Sequence, residues 1–196
     1  MTAMALHGVH HTARPTWKLK ETVEFYRDKL GLKLVHAISA RGWGPIQHPD
    51  FLHFFFESGR GSTIAFFYYI GHAQPEYLRA VDCFDYDAIH TAWSVETEAE
   101  LVGWKDALKM KGVEVVMDVQ HELIRSIYMR DPNGYLVEIT FQNRPFTPLD
   151  HADAARTITA AIAMEERERS GGEKFAGIEA VWNEKANRLD TEVEWV

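Results

Sequence analysis

The reading of this chain turns on one stretch, His121-Glu122-Leu123-Ile124-Arg125-Ser126-Ile127-Tyr128-Met129-Arg130-Asp131-Pro132-Asn133-Gly134-Tyr135-Leu136-Val137-Glu138. Leu123–Met129 and Leu136–Phe141 are apolar-rich runs of strand length, and Asp131-Pro132-Asn133-Gly134 between them is a turn signal. Working back, Val113–Met117 predicts another strand. Before it, Thr97-Glu98-Ala99-Glu100 is a capping box that opens a helix, Leu101, Trp104 and Leu108 share its face, and Gly112 closes it. Earlier still, His90-Thr91-Ala92 begins a first strand. The order is strand, helix, then three strands.

The same order occurs once before. His11-Thr12-Ala13 precedes His90-Thr91-Ala92 by 79 residues, and an aromatic, Phe25 or Trp104, follows each histidine by 14. Gly31-Leu32-Lys33-Leu34-Val35 matches Gly112-Val113-Glu114-Val115-Val116 at an offset of 81, and Gly61–Phe66 matches Gly134–Ile139 at 73. The common order predicts two copies of one unit, about 5–71 and 85–143, in an α+β domain spanning 1–146. In the first copy, Ala5–Arg14 is a strand bounded by Pro15. Thr16 caps a helix with Leu19, Val23, Tyr26 and Leu30 on one face, and Gly31 stops it. Leu32–Ile38, Phe51–Glu57 and Ser62–Ile70 are the remaining strands. Residues 147–196 break the repeat and read as a helical extension, Asp150–Glu168 and Lys174–Arg188 about a Gly171-Gly172 break.

Composition narrows the function. The 196 residues carry 29 acidic and 21 basic side chains, a formal charge of -8. An acidic balance disfavours a nucleic-acid backbone or an anionic membrane as partner. There is no run of 18 apolar residues and no signal-peptide pattern, and Cys83 is the only cysteine, so a cytosolic protein without an internal disulfide is expected. Ten histidines are many for this length.

Side chains alternate faces along a strand. Packing the two units side by side brings His11, His90 and Glu138 to one cavity wall. Two imidazoles and a carboxylate form a facial triad that suits Fe(II) and leaves coordination positions open. The offset of 73 places Ala65 at the equivalent of Glu138, so a fourth ligand is missing there. His10 competes with His11 for the inward position, and the repeated His-Thr-Ala favours His11. Glu138 lies between Val137 and Ile139, where an unpaired charge is costly, so it needs a partner. Phe51, His53 and Phe55 alternate along one strand, with Tyr68 and Trp43 nearby, and predict an aromatic-lined pocket.

The stretch from Val119 and His121 through Ile127, Tyr128, Asp131, Pro132 and Gly134 to Glu138 resembles the extradiol ring-cleaving dioxygenases of the vicinal-oxygen-chelate superfamily, also called the glyoxalase/bleomycin-resistance/dioxygenase superfamily. The resemblance covers both units, about 140 residues, and excludes the tail. It implies paired βαβββ modules forming a curved mixed sheet around a metal site. It gives the metal role to His11, His90 and Glu138, places His121 and Tyr128 in the active site, and makes His72, after Tyr68-Tyr69-Ile70-Gly71, a candidate acid–base. The implied reaction opens a catechol ring beside its hydroxyl-bearing carbons with Fe(II) and O2, in a homo-oligomer. The runner-up is a lyase, epimerase or thiol transferase of the same superfamily using Zn, Ni or Mn. Ala65 disfavours the lyases, which need a carboxylate there. A non-catalytic binding protein of the bleomycin-resistance type is the third reading, disfavoured by the triad.

Overall fold

The computed structural model describes residues 8–41, 49–78, 84–172, 175 and 177–189. Trp43 and the start of the predicted first strand, residues 5–7, lie outside them, as does Lys174. Two compact units partition the chain, Met1–Asn143 and Arg144–Val196.

The first unit holds both modules. Module one is β1 (His11–Thr16), α1 (Leu19–Val23, continued by a π-helical turn Glu24–Lys29), β2 (Leu34–Ala40), β3 (Phe51–Gly59) and β4 (Ser62–Tyr69). A short helix α2 (Phe84–Ala88) leads into module two: β5 (Thr91–Val95), α3 (Glu98–Met110), β6 (Val115–Gln120), β7 (Ile124–Arg130) and β8 (Leu136–Gln142). Each module forms one four-stranded mixed sheet, ordered β1-β4-β3-β2 and β5-β8-β7-β6. The first strand of each runs parallel to the last, and the other pairs are antiparallel. The fold is therefore α+β with paired βαβββ modules.

Local chemistry explains these elements. Thr97 and Glu100 make the reciprocal capping box that opens α3. Gly31 and Gly112, which end the module helices, have φ of 75° and 68°, a region open chiefly to glycine. Two boundaries differ from expectation. Pro15 lies inside β1, opposite Phe67, where it is tolerated because β1 is an edge strand. Thr16 is the last residue of that strand and fully buried, and the helix begins at Leu19 without a side-chain cap. The helix-side faces of both sheets share one core, including Tyr26, Phe56, Phe66 and Ile64 from module one and Leu101, Leu108, Ile127, Met129 and Val137 from module two.

The Asp131-Pro132-Asn133-Gly134 turn does more than join two strands. Buried Asn133 accepts hydrogen bonds at Oδ1 from the Thr16 hydroxyl (3.0 Å) and the Trp17 backbone N–H (3.1 Å), and its Nδ2 donates to Thr22 Oγ1 (3.0 Å). Tyr26 donates to Asp131 Oδ2 (3.0 Å), Tyr135 to the Pro15 carbonyl (3.1 Å) and Lys18 Nζ to the Pro132 carbonyl (2.7 Å). Burial raises the Asp131 carboxyl and pushes the Tyr26 phenol well above its ordinary value. Module two is thus pegged into the strand-to-helix corner of module one.

The second unit pairs α4 (Pro148–Arg169) with α5 (Ile178–Asn187). A Thr147–Asp150 capping box with Pro148 in the first turn opens α4. Ala155, Ala160, Met164 and Val181 are buried, and Arg167 and Arg188 both donate to Glu184 at 2.7 Å. No described helix is long and apolar enough to cross a membrane. The Arg188 hydrogen bond, and then that of Arg167, holds the Glu184 carboxyl below the usual range. Its contribution is in place above the unfolded value of about 4.3 and is lost as pH falls through the lower folded value. Thermal melts followed by far-UV circular dichroism should therefore lose stability below about pH 4, and Glu184→Gln should remove that part of the acid dependence.

Candidate metal centre

The β5–β8 register sets Ala92 opposite Glu138, and the β1–β4 register sets Ala13 opposite Ala65. His90 and His11 each stand two residues before those alanines, so they occupy equivalent places, as do Glu138 and Ala65. His90 Nε2 lies 2.9 Å from Glu138 Oε2, and Glu138 is only 3% exposed. The other carboxylate oxygen accepts from Ser126 Oγ at 2.5 Å. His90 Nδ1 lies 2.8 Å from the Asp87 backbone carbonyl. A carbonyl only accepts, so Nδ1 carries a proton. Nε2 and the carboxylate would then be two acceptors in contact unless a proton or a cation sits between them. A divalent cation fits that requirement: neutral imidazole nitrogen, anionic oxygen and an orienting backbone bond are the parts of a metal half-site.

Asp87 is itself fixed by Arg130, whose Nη2 donates to Oδ2 at 2.8 Å. This hydrogen bond is the main reason the Asp87 carboxyl is held below its usual range. Tyr128, opposite Glu138 on β7, presents its ring edge-on to His90, with centroids 6.1 Å apart. Its hydroxyl lies 3.1 Å from His121 Nε2. Burial, with a smaller contribution from the Glu138 charge, raises the Tyr128 phenol, so it remains a hydrogen-bond donor near neutrality.

The structure thus brings together four of the predicted site residues, His90, Glu138, Tyr128 and His121. His11 lies on module one, its Nδ1 2.9 Å from His10 Nδ1 and its ring 6.4 Å from His53 and 5.8 Å from Phe55. Among the described residues no three His, Cys, Asp or Glu side chains stand close enough to hold a metal ion. His72 is exposed and lines a separate cavity of about 220 Å³ with Pro15, Trp17, Tyr69 and Tyr77. Ser126 and Asp87 were not singled out from sequence. Ser126 carried a usable signal, since it is two residues before Tyr128 and so faces the same side, whereas Asp87 acts through its backbone and carried none.

The family profile of the Glyoxalase/Bleomycin resistance protein/Dioxygenase superfamily matches residues 8–139, and the chain belongs to that family. Among characterised relatives it is similar to biphenyl-2,3-diol 1,2-dioxygenase 2 of Rhodococcus globerulus, 37% identical over 65 residues, and to biphenyl-2,3-diol 1,2-dioxygenase 3 of the same organism, 39% over 54 residues. These matches span 33% and 28% of both this chain and the respective relative. The fold is shared with a glyoxylase/bleomycin resistance protein/dioxygenase domain from Frankia sp. EAN1pec, at 18% identity and a TM-score of 0.50 over 70% of this chain and 99% of that one. It is also shared with a Bacillus subtilis structure, at 22% identity and 0.53 over 71% and 42%.

Proposed function

We propose that the protein is an Fe(II)-dependent extradiol dioxygenase that cleaves the ring of a catechol-type aromatic with O2. The carrying observation is the His90–Glu138 contact, in which a backbone bond orients the imidazole and a serine holds the buried carboxylate. The dioxygenase relatives support the choice among superfamily chemistries. The absence of a carboxylate at Ala65, opposite Ala13, weighs against a four-ligand lyase. In this reading His90, Glu138 and His11 hold the metal, which when bound lowers the pKa of the substrate hydroxyls and leaves room for O2. Tyr128 donates a hydrogen bond to a substrate oxygen. His121, bonded to Tyr128, takes and returns the substrate proton. His72 would act only from its separate cavity, so His121 is the better-placed base.

The test is anaerobic loading with Fe(II), followed by admission of O2 to a panel of catechols. A yellow ring-fission product with stoichiometric O2 uptake is the expected outcome. Turnover with Zn or Ni and none with Fe(II) and O2 would transfer the protein to the lyase and transferase branch of the family. Ser126→Ala should lower Fe(II) affinity by roughly 10–100-fold, the usual effect of losing a group that orients a ligand. Equilibrium dialysis reads this directly, and unchanged affinity would show that Ser126 does not position Glu138.

A further inference from the structure

On module one, beside His11, stands a second imidazole, His53, the two ring centroids lying 6.4 Å apart. Phe51, His53 and Phe55 of β3 lie opposite Tyr69, Phe67 and Ala65 of β4, so one imidazole stands among aromatic rings. His53 is 5% exposed. Its ring stacks on Phe67 at 3.7 Å with an interplanar angle of 6°, and lies 4.3 Å from Phe55. Its Nδ1 is 3.1 Å from the Phe66 carbonyl. As a carbonyl only accepts, Nδ1 carries the proton and Nε2 is an acceptor. Among the described residues the ring's hydrogen bond is made at Nδ1 and none at Nε2.

The repeat explains why that nitrogen is free. His53 pairs with Phe67 as Ser126 pairs with Thr140, so the two hold equivalent places. In module two the polar group at this place is committed to Glu138. In module one the residue equivalent to Glu138 is Ala65, and nothing takes the second nitrogen. Stacking and the backbone bond fix the ring, so the acceptor is held ready on a wall of aromatic rings bordered by His11 and His36. Recognition sites are commonly apolar walls with a few placed polar groups of this kind.

We infer that His53 is a specificity-determining residue, its Nε2 accepting a hydrogen bond from a hydroxyl of an aromatic ligand packed against Phe55 and Phe67. This rests on the reading of an aromatic diol as ligand, and adds which side chain selects the hydroxyl. The test is anaerobic equilibrium dialysis of catechol and of 1,2-dimethoxybenzene, which cannot donate, against the unaltered protein and His53→Phe. The variant keeps a stacked ring and removes the acceptor. The dissociation constant for catechol should rise by about tenfold or more, the equivalent of one hydrogen bond, while that for 1,2-dimethoxybenzene stays within about threefold of its value in the unaltered protein. His53→Asn, which retains an acceptor, should recover part of the loss and serves also if the phenylalanine variant fails to fold. Equal loss for both ligands, no loss for either, or no catechol binding by the unaltered protein would overturn the inference. Catechol binding without ring fission would instead remove the dioxygenase reading and leave this one standing. Ring fission with catechol affinity unchanged in His53→Phe would do the reverse.

Discussion

Replacing His90 by Ala is expected to abolish stoichiometric Fe(II) binding and ring-fission activity together. His90 supplies the nitrogen 2.9 Å from Glu138, and its other nitrogen is tied to Asp87. The substitution removes a donor and leaves Glu138 buried without its imidazole partner. Loss of an orienting group typically costs roughly 10–100-fold in metal affinity, so loss of the donor itself should exceed about 100-fold. Metal analysis after dialysis and O2 uptake should both fall to background. Retention of one iron per chain in the variant would refute the assignment of His90 as a ligand. Glu138→Gln provides a companion measurement: it preserves size and a hydrogen-bond acceptor for Ser126 but removes the charge, so iron binding should fall with folding largely retained.

Asn133→Leu should destabilise the first unit substantially although it leaves no cavity. The side chains are similar in volume, so the effect is polar rather than steric. The Thr16 hydroxyl, the Trp17 backbone N–H and the Thr22 hydroxyl all lose a partner from the Asn133 amide. Thr16 and Thr22 retain their mutual contact at 2.8 Å, which softens the loss. Leaving a buried polar group unsatisfied costs about 1–3 kcal/mol, so a net destabilisation of about 3 kcal/mol is expected. For a domain of this size that lowers Tm by roughly 6–12 °C. Because the peg joins the modules, the proposed Fe(II) affinity should fall as well, since His11 and Glu138 belong to the two modules it joins. Asn133→Asp keeps an acceptor for Thr16 and Trp17 and should lie between the two proteins. A calorimetric Tm for Asn133→Leu within about 2 °C of the unaltered chain would show that these bonds contribute little.

Much of the architecture was legible from local pattern. The Thr97–Glu100 capping box, the glycines after the helices and the alternation of Phe51, His53 and Phe55 along β3 are properties of neighbouring residues, and short-range chemistry dictates them. The internal repeat then aligned His11 with His90 and Ala65 with Glu138; the strand registers place Ala65 and Glu138 at the same point of their sheets, and His90 stands just before β5. Boundaries were less legible. Pro15 is a breaker in an unspecified strand but acceptable at an edge, and edge position is a property of the whole sheet.

From the sequence alone came the two βαβββ modules, the helical extension and the shortlist of histidines, because periodicity, turn chemistry and a repeat are written along one chain. Only the tertiary structure decided which of those residues meet. It joined His90 to Glu138 and Tyr128 to His121, placed His11 beside His10 and His53, and sent His72 to a different cavity. It also turned Asp131-Pro132-Asn133-Gly134 from a hairpin turn into the bond between modules. The contacts of that bond link residues more than a hundred positions apart, as Asn133 with Thr16 does. They depend on strand register and module docking, which the shared core sets and no local pattern records.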